Sequence, residues 1–208
     1  KALLAAMLTP PSEDYLGQQL EVVAVDAIHR AREGARAALA RHFADRFRAL
    51  HAANAGSGPY RPDAAGFARR GLRNLALHYL VHSGEAEDVR RAVAQYEAAD
   101  NMTDRLSALR AVVWCGEPAA RDEASWLLED FLARFRDEAL VVDQWFATQA
   151  LATAPDTLEH VRALTRHEAF DARNPNKIRA LVGAFCGQNP VCFHAADGSG
   201  YAFLADWV

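Results

Sequence analysis

The stretch Asn174–Tyr201, with the sequence NPNKIRALVGAFCGQNPVCFHAADGSGY, is the most distinctive part of the chain. It begins with Asn-Pro, continues with a short amphipathic run and ends in a Gly-Ser-Gly turn at 198–200, and these parts follow one another closely. The Gly-Ser-Gly turn lacks the strand-turn-helix context of a phosphate-binding loop, so we interpret it as a turn between two helices. Residue types alone therefore predict a tightly turned helical corner here.

The chain before this corner carries apolar residues at helical spacing. One stripe between 27 and 52 consists of Ile28, Ala35, Leu39, Phe43, Phe47 and Leu50. It predicts a long helix that Asp26 caps. Similar stripes predict short helices at 1–8, after Ser12 and over 156–164. They predict longer helices from Pro62 to Gly84, over 85–98, to Gly116 from a cap at Thr103, and over 117–135 and 139–153. Residues 54–59 are predicted to form a loop. Period-two alternation is missing, so no strand is predicted.

These helices place the chain in the all-α class. Their number exceeds a four-helix bundle and short loops join them, which favours antiparallel neighbours. We therefore expect one helical domain over residues 1–208, built as an irregular superhelical array of antiparallel helix pairs of the HEAT or armadillo type.

Composition narrows the class of function. The 208 residues are 51% hydrophobic, which is ample for a buried core, and the formal net charge is -4 with a pI near 6.1. A negative net charge argues against a protein whose main role is to bind nucleic acid, because binding the phosphate backbone needs a basic surface. The acidic balance fits a cytoplasmic protein. No apolar run approaches the length that crosses a bilayer, and no basic-then-apolar leader is seen at the start, so we expect no membrane span.

Both ends read as cut through helices. The first residues, KALLAAML, have neither an N-cap nor an initiating Met, and the last, YAFLADWV, stop in an apolar run without a C-terminal cap. We expect a fragment of a larger polypeptide that is truncated at both ends.

Histidines and cysteines give weak metal signals. His167 begins a His-Glu-x-x-His-like word, but Asp171 stands where the second ligand belongs, so a histidine at a helix end is the better interpretation. His78 and His82 have the right spacing without the intervening Glu, and we interpret them as a solvated or partly buried pair. The three cysteines form no Cys-x-x-Cys pair, which favours small buried hydrophobes in a reducing compartment. We predict no metal site in the chain.

Arg179 is the candidate binding residue. In the run 176–182, Ile178, Leu181 and Val182 would face the core, while Arg179 lies beside that stripe near the N-terminus of its helix. A cation gains nothing from the helix dipole there, so its position needs another reason. The sequence leaves two reasons open, which are an internal salt bridge and a role in binding.

Four words, taken together and in order, carry a resemblance to a known family. They are NMTD at 101–104, DQWF at 143–146, NPNKIR at 174–179 and FHAADGSGY at 193–201. They resemble the C-terminal domain of bacterial aminopeptidase N, the alanyl aminopeptidase of the gluzincin type. The similarity runs from about residue 11 to the end of the chain.

The resemblance implies a zinc exopeptidase that removes N-terminal residues from peptides. The family's His-Glu-x-x-His zinc motif and its Gly-x-Met-Glu-Asn motif for the substrate amine have no counterpart here, so both would belong to an upstream catalytic domain of the same polypeptide. In such enzymes the C-terminal domain is an all-helical bowl that closes the active-site chamber. Arg179 is similar to the family residue that lines this chamber on the side of the peptide beyond the cleaved bond.

Two hypotheses of function follow. In the first, the chain is the non-catalytic cap domain of a zinc aminopeptidase, inactive by itself, with Arg179 adding positive potential to the chamber and peptides as substrates. In the second, it is a free-standing helical-repeat scaffold that binds another protein in a concave face. The resemblance favours the first.

Overall fold

A computed structural model describes residues 1–56, 58–116 and 120–207, and these contain helices, turns and loops but no strand. The predicted all-α class is confirmed. The chain divides into two compact units, Lys1–Ala124 and Ser125–Val208. The first three residues of the helix predicted over 117–135 lie outside the described residues, as do one residue of the predicted loop at 54–59 and the last residue of the chain.

The first unit contains α1 (Ala2–Leu8), α2 (Glu13–Gly17), α3 (Val25–His42), α4 (Ala44–Ala53), α5 (Ala64–Val81), α6 (Ala86–Ala98) and α7 (Met102–Val113). The helix predicted over 27–52 is therefore two helices. Phe43 ends α3 and precedes α4 with a non-helical backbone, and α3 and α4 both pack on α5. The bend at Phe43 lets both α3 and α4 pack on α5. The periodicity of apolar residues does not indicate this requirement.

Helix α5 is the centre of this unit, because α1, α3, α4, α6 and α7 all contact it. Ala76, Leu77 and Leu80 on α5 are fully buried. Tyr79 stacks on Phe47 of α4, with ring centroids 4.5 Å apart, and its hydroxyl donates to the backbone carbonyl oxygen of Leu8 at 2.7 Å. Apolar burial and aromatic stacking thus hold α4 on α5, and the hydrogen bond from Tyr79 joins α1 to it.

A buried polar chain crosses the same unit and links α4 to α7. The ring Nε2 of His51 contacts Gln95 Oε1 at 2.8 Å, and Gln95 Nε2 donates to Asn74 Oδ1 at 2.8 Å. Asn74 Nδ2 then donates to Asp104 Oδ1 at 3.0 Å. Burial lowers the pKa of His51, so its ring stays neutral and takes part as a hydrogen-bonding group. Each link satisfies a polar group that burial would otherwise penalise.

The boundary between the units falls within α8 (Arg121–Phe135). The second unit continues with α9 (Ala139–Ala150), α10 (Thr157–Leu164), α11 (Pro175–Ile178), a π-helical turn (Arg179–Gly183), α12 (Ala184–Gln188), α13 (Pro190–Phe193) and α14 (Ser199–Ala205). Phe131, Phe146 and Phe185 are fully buried, and Phe185 meets Phe203 edge to face at 5.6 Å. The largest fully buried side chains of this unit are thus aromatic.

Candidate functional site

The segment that carries Arg179 is one continuous helix with a wide turn in its middle. Asn174 caps it, since its side-chain oxygen accepts from the backbone N–H of Asn176 at 3.0 Å, and Pro175 occupies the first helical position. The helix then widens into the π-turn from Arg179 to Gly183 before α12 resumes the α-helical spacing. π-turns within α-helices occur often at functional sites.

Lys177 fixes the start of this helix to α9. Its side chain is buried, and its ammonium donates to Asp143 Oδ1 at 2.7 Å and to the carbonyl oxygen of Ala139 at 3.1 Å. The ammonium also lies 5.7 Å from the ring centroid of Phe146. Two of the four words that carry the resemblance, 143–146 and 174–179, therefore meet directly. Residue types alone did not single out this pair, although the spacing of Lys177 to the buried Leu181 is one helical turn.

Arg179 faces the other way. Its side chain is exposed, and no described residue forms a hydrogen bond or ion pair with it. The internal salt bridge that the sequence left open is thus not formed with any residue in the described ranges. Leu181 and Val182 are buried as predicted, and Ile178 is half-buried. The site is an exposed guanidinium on a π-turn, two residues beyond a buried cation. A role for Arg179 in binding stays a prediction.

The fourth word forms the predicted turn between helices. Gly198 has φ +75°, a left-handed conformation that favours glycine, and α14 begins at the next residue. A side chain on Gly200 would run into Phe193, whose carbonyl carbon lies 2.8 Å from the position of a Cβ atom. Exposed on the outside of this corner, His194 Nδ1 contacts the Tyr201 hydroxyl at 2.6 Å.

The remaining word, 101–104, begins α7 in the first unit. Asn101 caps that helix by accepting from the backbone N–H of Asp104 at 2.9 Å. The prediction that Thr103 is the cap was wrong, because Thr103 lies inside the helix. Asp104 is buried and belongs to the polar chain of the first unit, so this word has a structural role.

The histidine words do not form metal sites in the described ranges. His167 lies in a turn after α10, where its ring packs 5.2 Å from that of Trp145, while Asp171 pairs with Arg173. Across residues 1–56, 58–116 and 120–207, no group of three or more His, Cys, Asp or Glu side chains is placed to hold a metal. The three cysteines are half-buried, less enclosed than predicted.

The side chains of His78 and His82 lie one helical turn apart, and the ring of His82 contacts the backbone of His78. His78 Nε2 lies 3.2 Å from the Ser107 hydroxyl, and His82 Nδ1 lies 2.8 Å from the carbonyl oxygen of His78. Burial, and then the nearby positive groups His82, Arg36 and Arg110, lower the pKa of His78 to about 3. A base this weak does not activate a serine at neutral pH, so the Ser107 contact is structural.

The low pKa of His78 predicts acid sensitivity. The unfolded histidine has a pKa of 6.5, so below that pH the unfolded chain binds a proton at this histidine that the folded protein does not bind. Protonation therefore stabilises the unfolded state, and the free energy of unfolding falls as the pH drops. We expect the loss to be at most about 1.4 kcal/mol per pH unit. Urea unfolding between about pH 7 and about pH 5 measures it. His78→Gln should flatten the slope, whereas the exposed-site control His194→Gln should keep it. An unchanged slope in His78→Gln would assign the acid sensitivity to other groups.

None of the described helices combines the length and apolar character that a bilayer crossing needs.

Comparison with known proteins identifies relatives over the whole chain. The chain is 42% identical to aminopeptidase N of Caulobacter vibrioides and 40% identical to aminopeptidase N of Escherichia coli K12, in each case over 208 residues, all of this chain and 23% of the relative. The chain thus spans about a quarter of the length of these curated relatives. The predicted resemblance is confirmed.

A solved structure agrees with this result. The crystal structure of Legionella pneumophila aminopeptidase A in complex with aspartic acid matches with a TM-score of 0.86 and 30% identity, over 99% of this chain and 25% of that one. The family described as "Domain of unknown function (DUF3458_C) ARM repeats" matches residues 1–208, which agrees with the predicted helical-repeat array. The chain therefore belongs to the DUF3458_C family of ARM-repeat domains.

Proposed function

We propose that the chain is the C-terminal cap domain of a zinc aminopeptidase that removes N-terminal amino acids from peptides. The observation that carries this proposal is the whole-chain similarity to aminopeptidase N proteins about four times as long. The free-standing scaffold is less well supported, because these relatives hold the corresponding residues within a much longer polypeptide. In our proposal the cap closes the active-site chamber and controls which peptides enter.

The catalytic residues and the zinc belong, in this proposal, to another part of the same polypeptide. The described residues offer no ligand set that fits zinc, so no catalytic step is assigned to them. We place the parent enzyme in the cytoplasm, where its substrates are short or unfolded peptides. The partners of the chain are then its own catalytic domain and those peptides.

Arg179 is the residue through which this domain meets the substrate. The guanidinium is exposed and has no carboxylate partner among the described residues, so its hydrogen-bonding capacity is available to a ligand. A guanidinium fits a carboxylate through two parallel hydrogen bonds. The matching group on a peptide is its C-terminal carboxylate, which lies beyond the cleaved bond. Single-residue anilide substrates have no such group.

This role predicts a substrate-dependent defect in the full-length enzyme. Arg179→Ala should raise KM about five- to thirtyfold for a tripeptide, the effect of one charge-assisted contact that is partly exposed to solvent. The KM for an aminoacyl anilide should rise much less, since that substrate lacks the carboxylate. Steady-state kinetics with both substrates measure the difference.

Two controls accompany this test. Arg173→Ala removes a neighbouring exposed arginine that pairs with Asp171, and it should leave the ratio of the two KM values unchanged. The isolated 208-residue chain should neither bind zinc stoichiometrically nor cleave the anilide. Equal effects of Arg179→Ala on both substrates would remove the binding role, and turnover by the isolated chain would contradict the non-catalytic assignment.

A further inference from the structure

We propose that the buried Lys177–Asp143 ion pair is a positioning device that sets the direction of Arg179. This inference rests on the proposed role of Arg179 in meeting the substrate. It assigns a function to two residues that contact no substrate in that proposal. Their effect on peptide binding acts through Arg179.

Helix geometry couples the two cations. Lys177 and Arg179 are two residues apart, which places their side chains about 200° apart around a helix. Anchoring the Lys177 ammonium between Asp143 and the Ala139 carbonyl therefore turns Arg179 outward. Pro175 and Asn176, which precede Lys177, are exposed and offer no comparable anchor.

The π-turn makes this anchor necessary. A π-turn contains one more residue than an α-helical turn, and runs of π-helix are rare because the α-helical spacing is normally preferred. Leu181 and Val182 within the turn and Phe185 beyond it are buried, and they fix the second half of the helix. Without the Lys177 anchor, the first half can rewind by one residue into α-helical spacing. That change rotates Arg179 by roughly 100°.

The chemistry of the pair also favours a role in geometry. The side chains of Lys177 and Asp143 are only 9% and 13% exposed, so both charges lose most of their hydration. Buried ion pairs often contribute little net stability, because desolvation offsets the attraction, and their best-attested use is to specify a register. An apolar pair of similar volume would fill the same space without directing an ammonium to a particular oxygen.

The test separates geometry from stability in the full-length enzyme. The double variant Lys177→Met/Asp143→Leu replaces the ion pair with apolar side chains, and Asp171→Asn/Arg173→Gln removes the neighbouring exposed ion pair as a matched control. Each is made with Arg179 present and with Arg179→Ala. The readouts are KM and kcat for a tripeptide and for an aminoacyl anilide, with the melting temperature as a measure of folding.

We expect the apolar double variant to melt at or above the wild-type temperature and yet to raise the tripeptide KM about as much as Arg179→Ala does. It should raise the anilide KM much less. Added to Arg179→Ala, it should cause no further increase, because both changes remove the same contact. The control pair should leave the ratio of the two KM values as it is in the wild type.

Three results would overturn the inference, and they are distinguishable. A normal tripeptide KM in the apolar variant, when Arg179→Ala raises it, sinks the positioning role and leaves the proposed function standing. A further increase in the Arg179→Ala background shows that the pair acts by another route. No effect of Arg179→Ala itself overturns the proposed function, and the positioning role with it.

Discussion

Gly200→Ala is expected to destabilise the second unit by about 3 kcal/mol or more, because the new methyl group has no space. Its Cβ atom would lie 2.8 Å from the carbonyl carbon of Phe193 and 2.9 Å from its Cα atom, and closer still to its oxygen. These are backbone atoms, which cannot rotate away as a side chain would. Helix α14 must therefore shift from α13, and the contact of Phe203 with Phe185 is strained with it.

Thermal unfolding followed by circular dichroism measures this loss. The matched control is Gly187→Ala, which also places an alanine within 174–201 but meets nothing within 4 Å. Gly187 lies within α12, where alanine is favoured over glycine, so the control should gain roughly 0.5–1 kcal/mol. Opposite signs for the two substitutions would confirm the close approach at Gly200. A Gly200→Ala variant as stable as the wild type would contradict it.

The second large effect is expected in the first unit, at the buried carboxylate of Asp88. This side chain is fully buried and accepts from Arg48 Nη2 at 2.7 Å and from Arg91 Nε at 3.3 Å. Arg48→Met removes the Nη2 bond and a second one from Arg48 Nε to Asp88 Oδ1, so it leaves a buried charge that is only partly compensated. Breaking a buried pair in this way costs roughly 3–5 kcal/mol, and we expect about 3 because Arg91 remains.

The partners of Asp88 offer two controls, both read from urea unfolding. Arg90→Met breaks the exposed Arg90–Glu87 pair on the same helix and should cost less than about 0.5 kcal/mol. The double variant Arg48→Met/Asp88→Leu removes both charges and should recover most of the stability that Arg48→Met loses. If Arg48→Met and Arg90→Met lowered the free energy of unfolding equally, the burial of Asp88 would not be the cause of the loss in Arg48→Met.

Local sequence patterns predicted most helices, but they did not predict the features that depend on packing against other helices. The helical stripe between 27 and 52 correctly predicted helix, yet the break at Phe43 has no breaker residue in the sequence and follows from packing on α5. Phe67 falls on the apolar stripe of α5 and is nevertheless 71% exposed. Spacing identifies the face of a helix, and it does not tell how far along that face a neighbour extends.

The candidate site shows the same division. The sequence singled out Arg179 and its position beside an apolar stripe. It gave no reason to expect that Lys177 is buried, because the partner that allows this, Asp143, lies 34 residues earlier on another helix. The π-turn at Arg179–Gly183 was not predicted either, since apolar spacing indicates a helix without distinguishing α-helical from π-helical turns.

The sequence by itself determined the all-α class, the corner at 174–201 and, through four words in order, the family. Those features depend on helical periodicity, turn residues and residue identity, all of which are local. Only the tertiary structure decided that Lys177 faces inward and Arg179 outward, that Gly200 must be glycine and that Asp88 is a buried charge. Each of these depends on atoms that folding brings together from distant parts of the chain, and a linear pattern contains no distances between them.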